Sequence, residues 1–306
     1  MIKKCIGCGI PLQTENENDL GYTPKLENDL CARCFKLKHY GNKIDEGKNQ
    51  NNTILLEKIN KNKCHVLFIT DFLNINNEVI DTYKKIKNSK NLVINKSDII
   101  PKNIIVSKLL SNIKKIYKID EDIILSSSKN NKLDDLYKII NKHNKILFCG
   151  YTNMGKSSLI NKITKTNLTV SNKRNTTQEF IKMSYEDKTI IDAPGFINNY
   201  IIEKDIKNII RPITYQMKNK YYLNIEEIKL AFNKDVNLTI YIDNNMRVEK
   251  RKIKEILNYE GKINSNCDFL IKGIGFIKIK EDTNFFINIS KDRYEIRPSI
   301  VGGNYE

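Results

Sequence analysis

The sequence predicts an α/β protein built on a doubly wound, mostly parallel sheet, with a small cysteine-containing module before it and an α+β domain after it. Short apolar runs alternate with amphipathic helical segments in the middle of the chain, while the paired cysteines are confined to its beginning. A chain of 306 residues has room for two or three domains. We place them at residues 1–48, 49–210 and 211–306.

Short apolar runs predict the strands of the central sheet, at residues 66–71, 92–94, 123–125, 146–149 and 189–192. Apolar residues at helical spacing predict one helix before the fourth run, over Leu133, Leu136, Tyr137 and Ile140, and another after it, over Leu159, Ile160 and Ile163. The polar residues 47–52 predict a linker. Ligand loops of such sheets lie at the carboxyl ends of the strands.

The fourth run leads into a phosphate-binding motif. Residues 150–157, G-Y-T-N-M-G-K-S, match G-x-x-x-x-G-K-[ST] between a predicted strand and a predicted helix. Glycines let backbone N–H groups face a phosphate, and the helix adds its positive end. A glycine-containing turn that carries Lys-Ser by chance is the alternative. We expect contacts to the nucleotide phosphates from Gly150, Asn153, Met154, Gly155, Lys156, Ser157 and Ser158, with Lys156 reaching the β- and γ-phosphates and Ser157 ligating Mg²⁺.

Residues 95–98, N-K-S-D, follow the second run and predict guanine specificity. Asp98 can accept from guanine N1–H and the exocyclic amine, Asn95 can bond the purine edge, and the Lys96 stem can cover the ring. The strand end Ser127-Ser128-Lys129 would offer backbone N–H groups to guanine O6. N-K-x-D alone is weak in a chain this rich in Asn and Lys, but the phosphate loop strengthens it. We predict GTP and GDP as ligands; an adenine-specific enzyme is disfavoured by Asp98.

Two further segments follow the phosphate loop. Residues 192–195, D-A-P-G, end the last run, so Asp192 would hold Mg²⁺ through water and the Gly195 N–H would face the γ-phosphate. Residues 174–177, R-N-T-T, offer a threonine to close on Mg²⁺, for which we favour Thr177 over Thr176. No glutamine follows D-A-P-G to orient water, which predicts slow intrinsic hydrolysis.

Four cysteines form two tight pairs with the spacing C-x₂-C-x₂₂-C-x₂-C. Cys5, Cys8, Cys31 and Cys34 can supply the four thiolates of a structural zinc site. Each pair is alternatively a redox pair, although neither precedes a helix of a βαβ unit. Basic and aromatic residues over 33–40 form either an RNA contact or a solvated face. The isolated Cys64, Cys149 and Cys267 are expected to be core thiols.

The chain carries a net charge of +16 and has a pI near 9.3. This charge makes anionic partners plausible, nucleic acid first. No apolar run approaches the ~18 residues of a membrane helix, and the first residues lack a signal peptide, so we expect a cytoplasmic protein without a membrane partner. In the C-terminal region we predict strands over 236–242, 269–280 and 285–289, and a basic helix over 248–257 that either meets phosphates or is solvated.

The order of the motifs is N-K-S-D, S-S-K, the phosphate loop, N-T-T and D-A-P-G, whereas ordinary GTPases begin with the phosphate loop. The chain resembles the circularly permuted GTPases, and among them the YqeH type. That type joins an N-terminal zinc module, here C-I-G-C-G at residues 5–9 and C-A-R-C-F at 31–35, to the permuted domain. Residues 268–276, D-F-L-I-K-G-I-G-F, are similar to its C-terminal segment. One departure is R-N-T-T where the family usually has P-G-T-T.

The resemblance implies a GTPase that assists assembly of the small ribosomal subunit, with rRNA as its partner and the protein as a monomer. Asn153, in the form G-x-x-N-x-G-K-S, resembles the residue that helps bind K⁺ in potassium-dependent GTPases; a loop-stabilising role is the alternative. Because the segment after Gly195 runs toward the C-terminal region, its movement would be passed there. An RNA-binding scaffold that binds nucleotide without hydrolysing it is the competing function.

Overall fold

The structure is a computed structural model of the whole chain. It describes residues 3, 5, 11–17, 21–32, 46–164, 180–198, 200, 206, 208–253 and 259–302. Three apolar clusters hold these residues together: a large one around a six-stranded sheet, a second between two five-stranded sheets, and a small one that contains Cys5, Leu12 and Cys31.

The six-stranded sheet confirms the predicted doubly wound, mostly parallel architecture. Its strands are β1 (His65–Asp71), β2 (Lys90–Asn95), β3 (Ile123–Leu125), β4 (Lys145–Gly150), β5 (Ile181–Tyr185) and β6 (Lys188–Asp192), in the order β3-β2-β1-β4-β6-β5. All neighbours are parallel except β5, which pairs with β6 in the antiparallel sense. The central strands β1 and β4 are apolar and almost wholly buried, because helices cover both faces.

Five helices are described: α1 (Glu46–Lys61), α2 (Asn77–Lys84), α3 (Val106–Tyr117), α4 (Asp134–Asn141) and α5 (Lys156–Thr164). The last two are the helices predicted on either side of β4. The linker predicted over residues 47–52 is wrong, because α1 covers it and begins before the boundary proposed at residue 48. Leu55 and Ile59 lie one helical turn apart, and both are buried, so they anchor α1 on the sheet. The helix extends from this anchored turn back through the polar residues that precede it.

The C-terminal region is an antiparallel β-sandwich, so the predicted α+β class is wrong for the residues described. One sheet has the order β16-β13-β14-β10-β7 and the other β11-β8-β9-β15-β12. The strands are β7 (Ile213–Met217), β8 (Tyr221–Ile225), β9 (Ile228–Phe232), β10 (Val236–Ile242), β11 (Val248–Lys252), β12 (Tyr259–Ile263), β13 (Cys267–Ile271), β14 (Gly275–Ile279), β15 (Thr283–Ile287) and β16 (Tyr294–Pro298).

The basic helix predicted over residues 248–257 is instead strand β11 at residues 248–252; residues 254–258 lie outside the described part. β11 pairs with β8 in antiparallel register, Val248 opposite Ile225. The backbone pairing of all five residues with β8 outweighs the helical spacing, and the Lys250 ammonium adds a contact 4.8 Å from the centre of the Tyr221 ring on the neighbouring strand. The strand predicted over 269–280 is likewise the hairpin of β13 and β14.

The sheet that contains β13 and β14 is buried on both faces. Phe269 and Ile277 point into the sandwich core, whereas their neighbours Leu270 and Phe276 join the core of the six-stranded sheet. Phe276 meets Phe72, the first residue after β1, with ring centroids 5.3 Å apart. The sandwich therefore packs directly on the loop that follows β1.

A buried ion pair completes this contact. Asp268 and Arg297 lie opposite each other on β13 and β16, and their side chains are 0% and 2% exposed. The Arg297 guanidinium also donates to the Ile75 carbonyl and, at 3.3 Å, to the Tyr117 hydroxyl. Arg297 thus ties the sandwich to residues that follow β1 and end α3. None of the described helices has the length and apolar character needed to cross a membrane.

At the amino end of β1, His65 is buried beside β2. Its Nε2 lies 3.0 Å from the Asn91 Oδ1, and because the Asn91 amide nitrogen donates to the Asp122 carbonyl, Nε2 must carry the proton. The ring stacks on His143 at 3.9 Å. Burial, and then the neighbouring His143, lower the pKa of His65 to about 4.

We predict that the protein loses stability as the pH falls from about 6.5 towards 4.5. The unfolded chain takes up a proton on His65 in this range and the folded chain does not, so acid favours unfolding, by about 1–2 kcal/mol. Urea unfolding at pH 7.5 and pH 5.0 measures the loss. His65→Phe keeps the stacked ring without the titration and should show a smaller loss. An unchanged pH dependence in the variant would contradict the assignment to His65.

Candidate nucleotide site

The phosphate loop joins β4 to α5 by a sharp turn. Gly150 ends β4 with φ +148°, and a Cβ there would lie 2.3 Å from the Ile69 carbonyl oxygen of β1. Asn153 and Gly155 also have positive φ, of 66° and 80°. Only glycine fits the first and last of these positions, because each combines positive φ with a close neighbour. The backbone therefore wraps tightly before the first turn of α5.

Asn95 joins the loop after β2 to the phosphate loop. Its side chain is fully buried, and its amide nitrogen donates to the Met154 carbonyl at 3.1 Å. Its oxygen accepts from the Ser126 hydroxyl at 3.2 Å. A Cβ on Gly155 would lie 2.5 Å from the Asn95 amide nitrogen. The structure thus brings the ends of β2, β3 and β4 together through one side chain.

Lys96 takes the left-handed conformation with φ 54° and reaches the phosphate loop from the other side of Asn95. Its ammonium donates to the Asn153 carbonyl at 3.0 Å and lies 3.5 Å from the Asp71 carboxylate. Asp71 ends β1, and sequence reasoning gave it no role. One sequence signal could have identified Asp71: it ends a central strand at the carboxyl side, as Asn95 and Asp192 do.

The predicted base-recognition residues also meet. The Asp98 carboxylate is partly buried and accepts from the Ser127 hydroxyl at 2.6 Å. The same hydroxyl accepts from the backbone N–H of Asn130 at 3.1 Å, which closes the turn after β3. Ser128 is half-buried and Lys129 is exposed at that turn. A fixed carboxylate beside exposed backbone suits a flat, hydrogen-bonding base edge.

On the phosphate side, the Lys156 ammonium forms an ion pair with the Asp192 carboxylate at the end of β6. Residues 193–196 then run beside the phosphate loop, where the Phe196 N–H donates to the Gly150 carbonyl and the Thr152 N–H to the Phe196 carbonyl. Gly195 has no room for a side chain, since a Cβ would lie 2.8 Å from the Thr152 methyl. The loop that ends in D-A-P-G is therefore held against the phosphate loop.

The remaining predicted residues are the two serines that follow Lys156, the two loop threonines and the four paired cysteines. Ser157 and Ser158 are exposed on the first turn of α5, open to a ligand. Thr176 and Thr177 lie outside the described residues, as do Cys8 and Cys34. Cys5 and Cys31 are both buried, and the Cys31 N–H donates to the Cys5 sulfur at 3.2 Å. Within the described ranges no three His, Cys, Asp or Glu side chains form a metal-binding group, so the four-cysteine site stays a prediction.

These loops bring the segments predicted to bind phosphate, base and metal to one edge of the sheet, the arrangement expected of a P-loop GTPase. The model of the RsgA GTPase family matches residues 42–201, and the model described as 50S ribosome-binding GTPase matches residues 145–271. Over 286 residues, the chain is 26% identical to the Bacillus subtilis protein "Uncharacterized protein YqeH", covering 82% of this chain and 78% of that one.

The chain belongs to the RsgA GTPase family, because that model covers more than half of it. The order of its motifs is that of a circularly permuted GTPase, and the YqeH protein is similar to it over most of its length. Among solved structures, YjeQ from Thermotoga maritima is similar at 23% identity with a TM-score of 0.35, over 46% of this chain and 50% of that chain.

We predict that Gly155→Ala weakens guanine nucleotide binding by at least about tenfold, since an alanine at positive φ costs roughly 1 kcal/mol and its Cβ displaces Asn95 as well. Titration with a fluorescent GDP analogue measures the affinity, and thermal unfolding measures the stability. Lys162→Ala, at an exposed position of the same helix, is the matched control. Equal affinity in the two variants would contradict the role of the close approach.

Proposed function

We propose that the protein hydrolyses GTP to GDP and phosphate and acts as a nucleotide-dependent switch in the assembly of the small ribosomal subunit. The convergence of Asn95 with the backbone of the phosphate loop is the observation that supports guanine nucleotide binding most directly. Asp98 then lies where it can accept from guanine N1–H and the exocyclic amine. An adenine base offers no donor at these two positions, which favours guanine.

Hydrolysis would proceed by in-line attack of water on the γ-phosphate, with positioning and charge neutralisation supplying most of the catalysis. Lys156 and the backbone N–H groups of residues 153–158 would neutralise the charge that develops on the phosphate oxygens. The Gly195 N–H, held beside Thr152, would face the γ-phosphate. Residues 196 and 197 are Phe and Ile, so neither orients the attacking water, and we expect slow intrinsic turnover.

The residues at this edge of the sheet suit a magnesium ion. Ser157 is exposed at the start of α5, and the Asp192 carboxylate lies within reach of the Lys156 ammonium, so hydroxyl and carboxylate oxygens adjoin the phosphate position. Mg²⁺, when bound, would supply charge neutralisation of the β- and γ-phosphates. We propose Ser157 and Thr177 as its direct ligands and Asp192 as a ligand through water.

We further propose a structural zinc ion in an N-terminal module, held by Cys5, Cys8, Cys31 and Cys34. The spacing of the pairs supports this, as does the adjacency of Cys5 and Cys31. The Cys31 N–H donates to the Cys5 sulfur at 3.2 Å, so the first cysteine of each pair lies beside the other. The module, the permuted GTPase domain and the C-terminal sandwich would form three domains. We keep the boundary after residue 210 and move the first boundary from residue 48 to before α1, which begins at Glu46.

We predict that KCl raises the hydrolysis rate several-fold over NaCl through the Asn153 side chain. The test compares steady-state GTP turnover in the two salts for the native protein and for Asn153→Gly. Glycine tolerates the φ of 66° and keeps the carbonyl that accepts from Lys96, so this variant removes only the side chain. We expect it to lose the stimulation. Equal native rates in both salts would refute the potassium site, and binding without any turnover would favour the scaffold.

The ribosomal partner is supported by the family and by the charge of +16. We predict that the protein co-sediments with small subunits in the presence of a non-hydrolysable GTP analogue and is released in GDP. The experiment uses separated small and large subunits and a salt series. Lys156→Met, which removes the phosphate-binding ammonium, should bind equally in both nucleotides. If the native protein bound both subunits equally and the binding were lost as the salt concentration rose, the contact would be non-specific electrostatic attraction, and the prediction would be wrong.

A further inference from the structure

Asp71 is a buried carboxylate at the centre of the nucleotide edge that neither the motifs nor the proposed mechanism uses. It ends β1, the central strand of the sheet, and is 3% exposed. β1 lies between β2, which leads to Asn95 and Lys96, and β4, which leads to the phosphate loop. Asp71 therefore stands between the segment that would bind the base and the segment that would bind the phosphates.

The two oxygens of Asp71 have separate partners. Oδ1 caps the short 3₁₀ turn at residues 72–74, accepting from the backbone N–H groups of Leu73 and Asn74, both at 3.1 Å, and from the Asn74 amide at 2.6 Å. Oδ2 faces the Lys96 ammonium at 3.5 Å. The cap fixes the direction of the carboxylate, so the second oxygen is aimed at Lys96.

Lys96 is in turn the cation that touches the phosphate loop. Its side chain is only 13% exposed, and its ammonium lies on the Asn153 carbonyl at 3.0 Å. Its Cε would be 3.6 Å from a Cβ on Gly155, so the stem passes over the glycine. A lysine stem is flexible, and a charge-assisted contact at its tip is needed to hold it in one path.

We infer that Asp71 is a positioning residue for nucleotide binding: it fixes the Lys96 side chain across the phosphate loop, and so sets the distance between the base-binding and phosphate-binding segments. This inference rests on the proposed binding of guanine nucleotides. Both oxygens of the carboxylate are engaged by protein groups, so it would act on the nucleotide indirectly. Its effect reaches the ligand through the stem of Lys96, which would cover the base, and through the Asn153 carbonyl.

A carboxylate suits this task because the site is largely shielded from water. An ion pair in such surroundings is stronger than on the surface and orients both partners. An amide in place of the carboxylate would still cap the 3₁₀ turn through its oxygen, but would then present its NH₂ group, a second donor, to the ammonium. The Lys96 side chain would then no longer be held across the phosphate loop. The base-binding and phosphate-binding segments would no longer be pre-organised before nucleotide binds.

The test measures GDP affinity, with its association and dissociation rates, in Asp71→Asn, Lys96→Met and the double variant. We expect each single variant to raise the Kd for GDP about tenfold, or ~1.4 kcal/mol. The double variant should be no weaker than Lys96→Met alone, since Asp71 acts through Lys96. Asp71→Ser, whose hydroxyl can also cap the turn without a charge, is the second variant in case the first does not fold.

Asn74→Ala is the matched control, because it removes a bond to Oδ1 and leaves the pair with Lys96 intact. If Asp71 only caps the turn, Asp71→Asn, whose oxygen still caps, would keep both its Tm and its GDP affinity, and Asn74→Ala would lower the Tm without changing the GDP affinity. That result, or additive effects in the double variant, would overturn the inference. A native protein that does not bind GDP would instead overturn the proposed function.

Discussion

The contact between the Asn95 side chain and the backbone of the phosphate loop is the constraint on which the nucleotide edge depends. The amide donates to the Met154 carbonyl and accepts from Ser126, so the ends of three strands share one buried group. This arrangement requires glycine at position 155, where a side chain would occupy the place of the amide. An unpaired amide in that position would be costly, because it is shielded from water. The motif residues are thus fixed to one another by contacts within the protein.

The sandwich depends on the same edge of the sheet. Arg297 is buried against Asp268 and donates to the carbonyl of Ile75, while Phe276 packs on Phe72. Both contacts are made to the segment that begins at Asp71, whose carboxylate lies 3.5 Å from the Lys96 ammonium. A path of packed and hydrogen-bonded groups therefore runs from the phosphate loop to the C-terminal sheets. It is separate from the covalent connection that follows Gly195.

Sequence reasoning identified the parts of this protein that local chemistry determines. The strands of the parallel sheet were predicted because their apolar runs are bounded by polar loops, and the motif residues because phosphate and guanine demand particular groups. It failed where distant pairing decides the outcome: β11 is a strand because β8 lies beside it, and residues 47–52 are helical because Leu55 and Ile59 anchor the turn that follows. Asp71 was missed for the same reason, since only the fold places it against Lys96.

The position of β1 between β2 and β4 also bears on how the chain is made. Strands β1, β2 and β3 are consecutive in sequence and adjacent in the sheet, so the half that carries the guanine loops can pair as soon as it leaves the ribosome. The other edge of β1 pairs with β4, which is made later in translation; Ile69 lies opposite Gly150, 81 residues further along the chain. During that interval an apolar parallel strand has one unpaired edge. Translation of α3, β3 and α4 is thus the period in which the nascent protein is most exposed to misassembly.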